Sequence, residues 1–315
     1  EKARHMAMKM MRDHGLKQYT FKWDKAVRRF GCHNGRMKTI SLLLSLIAIG
    51  LIGYGIYKTE GRILPSTPKQ IVADTAKHSP KRRYCHFPLK NDFPSRSVCE
   101  YFESEKLIAV FGNSHSVELA YGLAVTLQEK GFGVRHHTMS GCRHNVGIIG
   151  VSAKQQICQD WQKQVVNQLV SDASISSVVV SYRNEKYLNN NSYRKSLTDM
   201  IKKLSEKGKE VVLVLQAPLA GADIQKYINI ALKTSKNNLI GITRSEWRKT
   251  YYAQNQLIDE LPGKIKIIDP ADFLCDNKNC YVIRDGEALY FDNDHMSIKA
   301  ASIVANFIIN EHLLN

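Results

Sequence analysis

From residue 105 onward the sequence alternates short apolar runs with longer patterns of helical spacing, and this alternation limits the possible folds more than any other feature. KLIAVFG (106–112), GVRHHTM (133–139), ISSVVVSY (175–182), EVVLVLQAP (210–218) and KIKIIDP (264–270) read as strands. Helical patterns fall between them at about 115–130, 153–171, 191–207 and 244–260, with a last one at 297–310. Strands alternating with helices predict an α/β fold, a mainly parallel sheet covered on both faces. Such sheets take ligands at the carboxyl ends of their strands. Ser114 lies at one of these ends, in FGNSHSVELAYG (111–122), where the first strand turns into the first helix. A hydroxyl there is exposed at the sheet's edge, and the helix N-terminus offers N–H groups to an oxyanion. Serine is also a good N-cap, and this segment alone does not choose between the two roles.

The chain ahead of this region is organised differently. Its 315 residues, 43% hydrophobic, carry a formal net charge of +16. Residues 1–38 hold 11 Lys/Arg against 3 Asp/Glu, so half of the excess sits in the first eighth of the chain. No helix-turn-helix, zinc-finger or RNP-like pattern accompanies the charge, which argues against nucleic acid as a partner. The run ISLLLSLIAIGLIGYGIY (40–57) explains it better, being uncharged and long enough for a short membrane span. Gly50, Gly53 and Gly55 would weaken a buried soluble helix but are common in membrane ones, and no small-x-small cleavage site follows directly. Lys22, Lys25, Arg28, Arg29, Arg36 and Lys38 lie close before the run, whereas only Lys58 and Arg62 lie close behind it. The positive-inside rule then places the N-terminus in the cytoplasm and the rest beyond a lipid bilayer. The organisation expected is a basic segment at 1–38, a transmembrane helix at 39–57, a linker and domain extension at 58–104, and a catalytic domain at 105–315. In 58–104, Pro65, Pro68, Pro80, Pro88 and Pro94 are read as breaking any helix, and KHSPKRRY as a solvated charge run.

Cysteine placement tests this topology. Cys32 falls on the cytoplasmic side, and the other six cysteines all lie beyond the span, an even number suited to disulfides. Cys275 and Cys280, in CDNKNC, form the first expected pair. Sequence proximity alone suggests Cys85 with Cys99 and Cys142 with Cys158, among fifteen connectivities that six cysteines allow. The spacings are not those of CxxC zinc knuckles, so no metal is expected.

Near the other end, YFDNDHMSIKAA (290–301) puts Asp292 three residues before His295, with Ser297 as a cap for the final helix. A serine nucleophile needs a base to take its proton, and the base needs an acid to fix its tautomer. The conjunction of a strand-end serine with Asp-x-x-His before the last helix resembles the SGNH hydrolase superfamily. Gly112-Asn113-Ser114 stands where its members often read Gly-Asp-Ser, and DNDH resembles the block that carries acid and base. With Ser140-Gly141-Cys142 after the second strand and a cysteine-bounded loop before LYFDNDHMS, residues 80–315 are similar to SGNH domains fused behind acyltransferase family 3 membrane proteins. The opening EKARHM resembles the basic segment after the last core membrane helix of those proteins, and a first residue other than Met suggests a fragment.

The resemblance implies a flavodoxin-like three-layer sandwich in which Ser114 is the nucleophile, His295 the general base and acid, and Asp292 its orienting carboxylate. It implies an oxyanion hole made by the N–H of Ser114, by Gly141 and by Asn184. Asn184 sits in SYRNEKY, without the Gly-x-Asn-Asp pattern of the superfamily and next to an arginine that the fused relatives share. Arg183, Arg143 and His144 are candidates for contacting a sugar or phosphate. The expected function is O-acyl transfer, most simply acetyl transfer, through a serine acyl-enzyme to a cell-envelope polysaccharide such as lipopolysaccharide O-antigen. The resemblance implies no cofactor bound by this chain. Acetyl-CoA would be the ultimate acyl donor, reached through an acyltransferase family 3 membrane domain in cis, with this domain in the periplasm of a bacterial inner-membrane protein. A deacetylating esterase would use the same triad, and a non-catalytic glycan-binding domain is the remaining alternative.

Overall fold

The computed structural model describes residues 35–58, 68–89 and 99–313. The chain forms two compact units, residues 1–65 and 66–315. In the first, helix α1 (Gly35–Lys58) contains the apolar stretch Thr39–Tyr57, whose 19 residues are long and apolar enough to cross a membrane. At 1.5 Å per residue that stretch spans about 28 Å, close to the hydrocarbon thickness of a bilayer. Cys32 and the basic residues before Gly35 lie outside the described residues, as do Pro65 and Pro94.

The second unit begins with α2 (Pro68–Thr75), α3 (Arg82–Cys85), β1 (His86–Phe87) and β2 (Cys99–Tyr101). There follow β3 (Leu107–Gly112), α4 (Val117–Gln128), β4 (Gly133–Met139), α5 (Ala153–Ser171), β5 (Ile175–Ser181), α6 (Asn191–Glu206) and β6 (Glu210–Val214). The remainder is α7 (Ile224–Thr234), β7 (Leu239–Thr243), α8 (Arg244–Thr250), α9 (Gln254–Asp259), β8 (Lys266–Ile268), α10 (Ala271–Leu274), β9 (Asn279–Arg284), β10 (Glu287–Ala288) and α11 (Ile298–Ile308). The main sheet runs β1-β4-β3-β5-β6-β8, with every neighbour in that order parallel, and β2 pairs antiparallel on β4. The five crossover strands, numbered from β3 in chain order, lie 2-1-3-4-5, the flavodoxin-like order. Its direction of progression reverses between β3 and β5, so their carboxyl ends flank the crevice where such sheets bind ligands.

Strand residues alternate between two cores, as a two-residue period requires. Ile108 and Val110 join Leu119, Leu123 and Leu127 of α4 and Val304 and Ile308 of α11 on one face. Ala109 and Phe111 join Trp161 and Leu169 of α5 and Leu197 and Ile201 of α6 on the other. Both faces are buried, which is why these strands read as unbroken apolar runs.

Three sequence expectations change. The region 58–104 is not free of helix, because Pro68 occupies the first position of α2, where a missing N–H costs nothing. KHSPKRRY is not simply solvated, since Ser79 is buried and Arg82 is only partly exposed. The pattern at 244–260 breaks into α8 and α9, and the turn between them carries Tyr251 into the core. An antiparallel sheet of β10, β9 and β7, and helix α7, add elements the apolar runs did not mark.

Disulfides join Cys85 to Cys99, Cys142 to Cys158 and Cys275 to Cys280. Closing loops with sequence separations of 14, 16 and 5 residues removes about 3, about 3 and about 2 kcal/mol of chain entropy from the unfolded state.

Candidate active site

The corner after β3 is built by close backbone packing. A Cβ on Gly112 would fall 1.8 Å from the Ser181 carbonyl oxygen and 2.1 Å from Ser116 Oγ, so only glycine fits. Ser116 Oγ donates to the Ser181 carbonyl at 2.5 Å, and Asn113 Oδ1 accepts from the backbone N–H groups of His115 and Arg183 at 3.1 and 3.2 Å. These bonds tie the end of β3 to the end of β5. They also make Asn113 the cap of the short 3₁₀ turn Ser114–Ser116 and leave the Ser114 hydroxyl free for another partner.

That partner is His295, whose Nε2 lies 2.8 Å from Ser114 Oγ. The opposite ring nitrogen, Nδ1, lies 2.7 Å from Asp292 Oδ2 and 2.9 Å from Asp294 Oδ1. A nitrogen facing two carboxylates carries the proton, which makes Nε2 the acceptor of the serine hydroxyl when the ring is neutral. The three-residue spacing has a local cause: Asp292 Oδ1 accepts from the backbone N–H of Asp294 at 3.0 Å and of His295 at 2.8 Å. The same carboxylate that folds the turn therefore receives the imidazole. The ring is held between His115, with centroids 4.3 Å apart, and Phe291, at 5.4 Å.

Burial of His295 favours its neutral form, but hydrogen bonds and charge from Asp292 and Asp294 outweigh this and push its pKa up to about 9. Burial would raise Asp292, yet the bonds from His295 and from the Asp294 and His295 N–H groups hold it well below the usual carboxylate range. Asp294 is also lowered: burial opposes the shift, while the His295 bond and the His295 and Arg183 charges drive it. Its side chain is 4% exposed and pairs with Arg183, which also binds Glu185 Oε1 at 2.9 Å. Burial and the neighbouring His295 keep His115 neutral.

The expected oxyanion residues are placed unequally. Ser114 and Gly141 both line a cleft of about 210 Å³, together with Asn113, Arg143, Arg183, Lys186 and Tyr187. The N–H groups of Ser114 and Gly141 make no hydrogen bond to protein among the described residues, and Gly141 adopts φ +65°, which suits glycine. Asn184 is not among the cleft residues and is 1% exposed. Its backbone N–H donates to Gln216 Oε1, and its Oδ1 accepts from the Tyr251 hydroxyl at 2.5 Å, so the amide Nδ2 is the end left for a ligand. Of the suggested substrate contacts, Arg143 and Arg183 line the cleft. His144 does not. It is fully buried beside Tyr182, with burial lowering its pKa to about 4.

Donor atoms of His115, Asp294 and His295 lie within 4.8 Å of one another, a set able to hold a divalent ion. The bonds described above already use Asp294 and both nitrogens of His295, and an ion would have to displace them.

Several supporting residues escaped the sequence reading. Arg82 Nη1 donates to both oxygens of buried Glu118 at 2.8 and 2.7 Å and to the Ser114 carbonyl at 3.3 Å. The segment before β1 thus clamps the backbone of Ser114, and the Cys85–Cys99 disulfide closes that segment onto β2. Asp294 lies inside the DNDH motif, and its proximity to His295 was a usable signal. Arg82, Glu118 and Tyr251 gave none.

A family model described as "SGNH domain (fused to AT3 domains)" matches residues 84–310. Among solved structures, the periplasmic domain of the Salmonella ser. Paratyphi A lipopolysaccharide acetyltransferase is similar at 15% identity, covering 72% of this chain and 90% of that one, with a TM-score of 0.49. No curated protein matches the chain.

Proposed function

Because this chain belongs to the family of SGNH domains fused to AT3 domains, matched over residues 84–310, we propose that it is an O-acyltransferase using Ser114, His295 and Asp292. The observation that carries this reading is the continuous line of hydrogen bonds from Asp292 through His295 to Ser114, at 2.7 and 2.8 Å. His295 Nε2 takes the hydroxyl proton as Ser114 Oγ attacks the carbonyl of the incoming acyl group, most simply acetyl. The oxygen that gains charge is met by the N–H groups of Ser114 and Gly141 and by the Asn184 amide. The leaving group departs with the proton from His295, giving an ester on Ser114. A hydroxyl of a cell-envelope glycan, of which lipopolysaccharide O-antigen is one example, then attacks the ester. His295 accepts its proton and returns it to Ser114 as the acylated sugar leaves.

The fusion in the family name supports a membrane domain in cis that would deliver the acyl group, with acetyl-CoA as the ultimate donor. The apolar helix α1 is consistent with a bilayer span that leaves residues 66–315 on the periplasmic side of a bacterial inner membrane. Without its donor and acceptor partners the chain would hydrolyse small acetyl esters slowly, water taking the acceptor's place.

The test is turnover of a chromogenic acetyl ester by the full chain and its Ser114→Ala variant, with and without envelope oligosaccharides. Turnover confined to the chain with serine, with acetylated sugar among the products, is the expected result. Equal turnover by both proteins overturns the triad, and hydrolysis without any acetylated sugar favours an esterase.

A further inference from the structure

The wall of the cleft beside Ser114 carries three cations and no carboxylate among its lining residues. They are not equivalent. Arg183 is committed to Glu185 and to Asp294, and so serves the triad's own scaffold. Arg143 has no carboxylate partner among the described residues, and its Nε is buried without a hydrogen bond. Its guanidinium lies over the Tyr187 ring, 4.9 Å from the ring centre, a cation–π contact that supplies no hydrogen-bond acceptor of its own. The backbone at this point is fixed by the adjacent Cys142–Cys158 disulfide and by Gln162 Nε2, which donates to the Arg143 carbonyl at 2.9 Å. Lys186, on the same wall, has no ion pair among the described residues.

A partly buried arginine with an unmet donor is costly to keep unless a ligand completes it, and its planar fork matches carboxylate or phosphate. From this we infer that the acceptor recognised in this cleft is an anionic sugar, with a carboxylate or phosphate group held by Arg143 and Lys186 close to the hydroxyl that takes the acyl group. The inference rests on the acyl-transfer reading for its chemistry, but its binding component stands apart from it. A neutral sugar can offer that donor a hydroxyl oxygen but leaves the guanidinium charge uncompensated, whereas a carboxylate or phosphate meets both. Exposed Lys186 contributes longer-range attraction that salt screens.

The experiment uses the full chain in detergent micelles. Three acceptors are compared: an oligosaccharide of galacturonic acid, a phosphate-bearing sugar and a neutral oligosaccharide of equal length. Acetylated product is measured by mass spectrometry. In parallel, each sugar is tested as an inhibitor of Ser114-dependent ester hydrolysis, which reads binding even where no transfer is detected. The expected result is a preference of about tenfold or more for an anionic sugar over the neutral one, in kcat/KM or in inhibition constant, the size of one charge-assisted hydrogen bond. The two anionic arms show whether carboxylate or phosphate is the better fit. Arg143→Gln collapses the ratio, Lys186→Gln reduces it, and raising the salt concentration narrows it in the unaltered chain. A neutral sugar used or bound as well as the anionic ones overturns the inference, as does a preference that survives both substitutions. Failure of the acyl-transfer reading is seen separately, as ester turnover that persists in Ser114→Ala.

Discussion

At the β3 corner, residues 112–116 are held by backbone contact. Gly112 presses against Ser181, Asn113 spans two backbone N–H groups, and Arg82 grips the Ser114 carbonyl. In the loop at 291–297 the restraints are mostly charged side chains: Asp292 and Asp294 both face one imidazole, with Arg183 behind Asp294. Ser114 is therefore positioned by the fold, and His295 is positioned and tuned by electrostatics. Substitutions at the corner should abolish chemistry or loosen the domain, whereas those in the loop should divide their effect between rate and pH dependence.

The largest effect belongs to the corner. Ser114→Ala should lower ester turnover by about 10⁴-fold or more with an unchanged thermal midpoint, since among the described residues the hydroxyl bonds only to His295. In the loop, Asp292→Asn should cost about 10³-fold in kcat/KM, short of a complete loss because Asp294 still meets Nδ1 at 2.9 Å. The double variant with Asp294→Asn should fall further than the product of the single effects, as expected for two groups sharing one partner. An additive outcome would mean that the two carboxylates act independently.

Beneath the corner, the Arg82–Glu118 pair bears on stability. Glu118→Gln leaves Arg82 without its buried partner and should destabilise the domain by about 3 kcal/mol, measured as a lower midpoint in denaturant. The smallest effect is a shift of the pH profile. General-base action needs neutral His295, and its pKa is pushed up to about 9, so kcat/KM should rise with pH and level off above about 9. Asp294→Asn removes one of the charges that raise this pKa and should move the rise to lower pH. A profile that does not move would separate Asp294 from the base.

The same contrast explains what could be read from the sequence. Strands β3, β4 and β5 were legible because both of their faces are buried, leaving apolar runs that end where the ladder ends. The small sheet of β7, β9 and β10 was not, because it is short and two of its strands have mixed exposure. Helix α7 was missed although its sequence is amphipathic, and beyond the break after Thr250 the Tyr251 hydroxyl bonds to Asn184, 67 residues away. Ser114, Asp292 and His295 could be found because each sits in a short motif whose spacing has a local cause. Arg82 with Glu118 and Arg183 with Asp294 are pairs 36 and 111 residues apart, and only the folded chain joins them. The loop's electrostatics were half visible, in DNDH, and half supplied by Arg183, just beyond β5.

The most direct measurement of the central claim is rapid quenching of the full chain with an activated acetyl ester, followed by peptide mass spectrometry to locate the acetyl adduct. The expected result is an adduct on Ser114 that accumulates before steady state and disappears when an acceptor sugar is added. Turnover that proceeds with no adduct on Ser114, or with the acetyl group on another residue, would contradict it.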